Sequence, residues 1–337
     1  MITDSALRTM AGVCTAILVA AALSLAQSVL APVAFALFVI ALAWPLQRGL
    51  EPRLGGAVAM IVTLLVSLTV VGVMVFLASW GFGRVGAWVV ANGAMLQELY
   101  LRKLEWAAAQ GIEIDPIIAE HFNMRSLVRL AQEVLSQLQG LLTFVAVTLV
   151  FMILGLLETG AVARSLATMG STAEAMLGAL SETSSKLRTY MAVRTVMSAF
   201  TGLAVFAFAY AMGLELAAEW GVIAFVLNYI PFIGSFLATL FPTVFAILQF
   251  GSWQAAIAVF ACLQVIQFLS GSYIEPRLAG ARLAISPFMV LVAVFLGAFL
   301  WGVPGAFIGV PALIAALTIC ERFDGSRWVA TLLSGKQ

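Results

Sequence analysis

Residues Gln264 to Pro311 read QVIQFLSGSYIEPRLAGARLAISPFMVLVAVFLGAFLWGVPGAFIGVP. A short charged block, Glu275-Pro276-Arg277 with Arg282, divides apolar segments rich in glycine and proline. An ordinary pair of membrane helices needs no such helix breakers. At membrane depth, freed backbone groups are tolerated only where they face protein or a water-filled cavity. The stretch therefore reads as part of a pathway for something polar, beyond an anchor. Gln264 and Gln267 lie three apart on this approach, followed by Ser270, Gly271 and Ser272 before Glu275. Polar side chains inside a span face the bundle or a cavity. Interhelical hydrogen bonding is the plain reading, and a polar lining is the sharper one.

Composition supports a membrane setting. The chain has 337 residues, 63% hydrophobic and 10% charged, where soluble domains carry about 25% charged residues. Net charge is +1, from 17 basic and 16 acidic residues, so no basic field exists to hold nucleic acid. Cys14, Cys262 and Cys320 sit far apart in apolar runs and read as small buried hydrophobes. His121 has no cysteine or second histidine nearby, and reads as a surface residue rather than a metal ligand or base. No metal site and no cofactor are expected. The N-terminal run follows Arg8 and loosely resembles a signal peptide, but Asp4 and the next apolar segment favour a first membrane helix.

Apolar runs of about 20 residues, enough to cross about 30 Å of hydrocarbon, fall at 10–28, 31–47, 56–80, 139–158 and 193–214. A hairpin follows at 219–249, broken at Asn228-Tyr229-Ile230-Pro231-Phe232-Ile233-Gly234. A span at 253–271 leads to a second hairpin at 286–320, broken around Trp301-Gly302-Val303-Pro304-Gly305. The hairpin arms are short for full spans, so half-helices that re-enter or tilt are expected. Basic residues orient the chain: Arg8, Arg48, Arg53, Arg164, Lys186, Arg188, Arg194, Arg277, Arg282, Arg322, Arg327 and Lys336 all fall on the inner side, with both termini cytoplasmic.

The expected fold is all-α, a polytopic membrane helix bundle of about eight segments, with amphipathic helices outside the bilayer. Residues 1–83 form N-terminal membrane helices, and 84–138 an extracytoplasmic amphipathic helical insertion. Residues 139–159 form a membrane helix and 160–192 a cytoplasmic amphipathic helix. Residues 193–320 form a core transport region with the two broken hairpins, and 321–337 a cytoplasmic tail. The insertion carries Leu96, Tyr100, Leu104 and Ala107, then Leu127, Leu130, Val134 and Leu138, at helical spacing.

Catalytic motifs fail on context. Gly81-Phe82-Gly83-Arg84-Val85-Gly86 matches G-x-G-x-x-G but follows a membrane span rather than a strand. Leu333-Ser334-Gly335-Lys336 lacks the upstream glycines of a phosphate loop. Intramembrane hydrolysis needs a nucleophile with a base, or a metal with its ligands, and no span supplies either. The chain is not expected to be an enzyme. Gly305-Ala306-Phe307-Ile308-Gly309 is a G-x-x-x-G that close helix packing explains.

On the stretches Leu227–Ser235, Gln267 with Gly271, Tyr273–Leu278, Ser286-Pro287-Phe288 and Trp301–Pro311, the chain resembles the autoinducer-2 exporter family of bacterial membrane proteins. The Ile-Pro-x-Ile-Gly and Glu-Pro-Arg signatures carry the resemblance. Ser235 stands where the family often has proline, and Pro304 lies in the usually flexible Gly-x-x-Gly turn. The resemblance implies secondary export of small molecules without ATP, a quorum-sensing furanone being the name-giving substrate. Some relatives resemble sodium/proton antiporters instead.

The reading that results is a secondary exporter of a small polar organic molecule in the bacterial inner membrane. Asn228, Pro231, Gly234, Ser235, Gln264, Gln267, Gly302 and Gly305 line the pathway. Glu275, Pro276, Arg277 and Arg282 form a gate or latch. Partners are the solute, the lipid bilayer, a coupled H+ or Na+ ion, and further copies of the chain as a homo-oligomer. Cation/proton exchange and a non-transporting scaffold are the alternatives. Glu158, Glu215, Glu219 and Glu275 all fall near span ends, which counts against an antiporter with a deep carboxylate.

Overall fold

The structure is a computed structural model that describes residues 4–109, 124–167, 171–279, 285–323 and 325–333. His121 and Arg282 lie outside the described residues. The elements are helices throughout: α1 (Asp4–Leu25), α2 (Gln27–Leu54), α3 (Gly56–Ala91), α4 (Gly93–Ala109), α5 (Met124–Ala167) and α6 (Ser171–Ala211). Then come α7 (Ala217–Leu227), α8 (Ile233–Phe250), α9 (Trp253–Phe268), a π-helical segment (Leu269–Ile274), α10 (Glu275–Ala279), α11 (Pro287–Arg322) and α12 (Arg327–Leu333). Among the described residues, seven helices are long and apolar enough to cross a membrane. This is the polytopic helical bundle that composition implies.

Several helices run further than hydropathy suggests. α3 continues to Ala91, α5 carries the second insertion helix straight into a span, and α6 is unbroken from Ser171 to Ala211. Leu96 is buried in α4, while the side chains of Tyr100, Leu104, Ala107, Leu127, Leu130, Val134 and Leu138 lie outside the description. Leu65, Val66, Val70, Val73 and Phe76 of α3 are exposed, as expected of a surface whose solvent is lipid.

The chain forms two compact units. Residues 1–69, 144–191 and 280–337 make the first, and 70–143 with 192–279 make the second. In the first, Phe35, Phe38, Phe144 and Phe307 cluster with ring centroids 5.5–6.2 Å apart. Pro45 sits inside α2 and cannot donate to the carbonyl of Ala41, four residues earlier. Ser184 of α6 donates its hydroxyl to that carbonyl, and Arg188 donates to Ser184 at 3.2 Å. The hydrogen bond that Pro45 removes from α2 is thus supplied from α6. Lys186 bridges Glu182 at 3.0 Å and Glu321 at 2.9 Å, tying α6 to the end of α11.

α11 breaks at Trp301 and Gly302, whose φ/ψ values of −136°/18° and 62°/−141° leave the helical region. Glycine tolerates the second of these without a Cβ penalty. The two arms fold back on each other, backbone against backbone. A Cβ at Gly305 would overlap the carbonyl of Gly297, and one at Gly309 would overlap that of Ala293. Trp301 at the tip donates its indole N–H to the carbonyl of Leu23 in α1 at 3.1 Å.

The second unit gathers α7 and α8 around Val205, Ala209, Trp220, Ile223, Leu227, Ala238 and Phe245. α7 has 11 residues, about 16 Å of helix, half of what the hydrocarbon core needs. α7 therefore does not cross by itself. Its other end is tied down by side chains. Gln249 accepts from the N–H of Glu215 at 2.8 Å and donates to the carbonyl of Gly213 at 2.9 Å. Trp88 donates to Glu215 at 2.6 Å, and Arg84 pairs with the buried Glu219 at 3.0 Å.

Replacing Gly305 by alanine forces the arms of α11 apart, an overpacking cost of about 1–3 kcal/mol. A lowered thermal unfolding midpoint of the full chain in detergent is expected. Gly72→Ala, in open space within α3, is the control and leaves the midpoint unchanged or slightly raised.

Candidate functional site

Asn228 to Phe232 lie between α7 and α8, with Phe232 at φ 62°. A Cβ at Gly234 would overlap the carbonyl of Leu227, so only glycine lets the chain double back here. Asn228 and Pro231 are buried, and Ser235 is half-buried with its carbonyl accepting from Thr239 at 3.1 Å. The tip is read by α6. Asn228 donates its side-chain amide to the hydroxyl of Ser198 at 3.3 Å. Tyr229 donates its hydroxyl to Thr195 at 3.0 Å.

α6 thus presents a buried polar stripe that the sequence reading left out. Arg194, Ser198 and Thr201 follow at spacings of four and three, on one helical face, and are 8%, 0% and 0% exposed. In sequence, Arg194 is fully accounted for as a positive flank of a span. The signal that finds it is the polar stripe continuing up the helix, at a depth where a flank residue needs no polar neighbours.

Arg194 pairs with Glu275 at 3.2 Å, across 81 positions of sequence. Glu275 thus meets Arg194 rather than its near neighbour Arg277. The Arg277 guanidinium instead lies over the Tyr273 ring, 3.8 Å from its centroid, a cation–π contact. The Pro276 side chain falls outside the description. Burial pushes the Glu275 carboxyl up from its ordinary value, and the charge of Arg194 opposes that rise.

The six residues before Glu275 are π-helical, a rare winding frequent at functional sites. Gln264 and Gln267 separate here. Gln264 is exposed, whereas Gln267 continues the buried face made by Ala256, Val259 and Leu263. Both polar atoms of the Gln267 amide are buried and have no hydrogen-bond partner among the described residues, and the Thr201 hydroxyl is in the same state. Ser270, 2% exposed, donates to the carbonyl of Gln267 at 3.1 Å. Asn228, Gln267 and Glu275 therefore all lie in the second unit with the α6 stripe, while Gly302 and Gly305 belong to the break of α11 in the first. Gly302 is exposed at the tip and Gly305 is buried between the arms. Among the described residues, no group of three or more His, Cys, Asp or Glu is placed to hold a metal ion.

Known proteins are similar to parts of this sequence. The AI-2 transport protein TqsA of Escherichia coli (strain K12) is 28% identical over 217 residues, 64% of this chain and 63% of its own length. A Borreliella burgdorferi protein, provisionally named a transport protein, is 32% identical over 162 residues, 48% of this chain and 45% of its own. A second provisionally named E. coli transport protein, YhhT, is 32% identical over 144 residues, 43% and 41% of the two chains. The matches thus span roughly half the length of these curated relatives. The family described as AI-2E family transporter matches residues 13–325. A polytopic bacterial membrane protein with broken helices at these signatures, the chain belongs to the AI-2E transporter family.

Proposed function

We propose that the chain is a secondary transporter of the bacterial inner membrane, exporting a small polar organic molecule of the autoinducer kind. The observation that carries this reading is the broken tip at Asn228–Gly234 facing the buried polar stripe of α6. A helix break inside apolar surroundings leaves backbone donors and acceptors that need partners. In transporters such breaks stand at substrate sites. The relative named as an AI-2 transport protein supports the substrate class. The absence of a phosphate-loop motif in the sequence favours a process without ATP. The basic flanks support a cytoplasmic side for both termini and for the Glu275 end of the second unit.

Within this reading the latch joins Glu275 to Arg194, holding α10 against α6. The carboxyl is raised by burial, so acidification neutralises Glu275 at a higher pH than it would an exposed glutamate. The pair then weakens. This same partly buried carboxylate favours, as the second reading, cation/proton exchange through the protein.

Reconstitution in liposomes, following solute efflux together with internal pH and sodium, tests both. Solute efflux without coupled sodium movement supports export. Sodium-coupled proton movement that disappears in Glu275→Gln supports exchange and counts against an organic exporter. Flux in the wild type is expected to rise as pH falls on the Glu275 side. Glu275→Gln is expected to be flat across that range. In Gly234→Val, the enlarged side chain holds the tip open, and transport is expected to fall at least tenfold with membrane insertion intact.

A further inference from the structure

We infer that Gln267 and Thr201 form a solute-reading pair on α9 and α6, selecting an uncharged molecule that presents an adjacent hydrogen-bond donor and acceptor. The inference rests on the transport reading above and names the groups that would recognise the cargo.

The placement follows from the topology of the second unit. Gln249, near the end of α8, bonds both Gly213 and Glu215, which lie between α6 and α7. α9 begins at Trp253, just past the turn that ends α8. The last residues of α6 and the first of α9 are therefore at one end of the unit, and these two helices run antiparallel. At the opposite end, Arg194 of α6 and Glu275 of α10 are joined by their ion pair. From Arg194, Thr201 is seven residues along α6, about 10 Å. From Glu275, Gln267 is eight residues back along the π segment and α9, about 12 Å at helical rise. The pair therefore sets Thr201 and Gln267 at the same depth. Both lie on buried faces, one continuing from Ser198 and the other from Leu263.

Among the described residues, these two side chains have no hydrogen-bond partner. The amide nitrogen and oxygen of Gln267 and the hydroxyl of Thr201 are buried without a hydrogen bond. Thr201 is 0% exposed. The hydroxyls of Thr63, Thr69, Thr148 and Thr318, in contrast, each bond a carbonyl four residues back in their own helices. Buried polar groups are seldom left unpaired, and each such exception calls for an explanation. A carboxamide offers two donors and one acceptor. It is complemented by a group that both gives and accepts, such as a vicinal diol or another carboxamide. One turn or more away, Arg194 and Glu275 neutralise each other, so the site offers no net charge to a charged cargo. Such a cargo would lose its hydration without compensation.

The test uses the full chain reconstituted in liposomes loaded with four probes: xylitol and malonamide, uncharged, and their charged counterparts xylonate and malonate. Wild type is expected to release xylitol or malonamide at least tenfold faster than either anion. Preference for xylitol identifies the diol as the feature read, and preference for malonamide the amide. Gln267→Met, of similar shape without polar atoms, is expected to lose that release at least tenfold. The same variant in detergent should melt higher by about 2–4 °C, because an unpaired buried amide has been removed. Thr201→Val should repeat both effects more weakly. Unchanged efflux in Gln267→Met, with wild type active, overturns the pair and leaves the transport reading standing. Equal release of the anions overturns the solute class. A lower melting point in Gln267→Met shows the amide to be satisfied within the fold, and also overturns the pair. A wild type that releases none of the four, against empty liposomes, sinks the transport reading and the inference with it.

Discussion

In hydrocarbon, a backbone N–H or C=O without a partner has no water to turn to, and this constraint governs where the chain can leave regular helix. Pro45 frees the carbonyl of Ala41, and Ser184 arrives from another helix to bond it. The α11 break at Trp301 and Gly302 is closed by glycine-on-glycine packing and tethered by the Trp301 indole to Leu23. At the α7–α8 break the backbone closes on itself, Ile230 donating to the carbonyl of Leu227 and Gly234 to that of Ile230, while the side chains of Asn228 and Tyr229 bond Ser198 and Thr195 of α6. The irregular backbone is tolerated because its freed groups close on themselves, as at Ile230 and Gly234, or are met from another helix, as at Ala41. The satisfying residues then become as consequential as the breakers.

The Arg194–Glu275 pair adds a second layer. It connects α6, which reads the hairpin tip, to α10, which follows the π segment. Removing one partner alone would leave a largely buried charge uncompensated, so the two side chains act together. One helix thereby touches the hairpin tip at Ser198 and the charged block at Arg194. In a transporter, that is an arrangement by which occupancy at one place can be felt at the other. Such coupling needs differential contacts in two states.

Much of the layout was legible in the sequence because helix breakers act locally. Asn228–Gly234 and Trp301–Gly305 declare themselves through proline and glycine, and both breaks occur where those residues stand. Other features were not legible, for identifiable reasons. Gln264 and Gln267 are three apart, which places them about 60° apart around a helix, and only Gln267 turns inward. No residue type announces the π winding at Leu269–Ile274. Arg277, adjacent to Glu275 but for one proline, was the natural partner by proximity. The folded chain gave Glu275 to Arg194 instead and laid Arg277 on Tyr273.

Sequence by itself determined that the chain is a bundle of membrane helices, where its two hairpins break, and which family it resembles. These follow from hydropathy, span length and the fixed stereochemistry of proline and glycine, all properties of residues and their near neighbours. Tertiary structure alone decided which side chain answers each break, which carboxylate meets which arginine, and which polar groups remain unanswered. Those depend on helices distant in sequence meeting at a common depth. The ion pair across 81 positions and the unpaired amide of Gln267 are consequences of that meeting, and no local pattern encodes them.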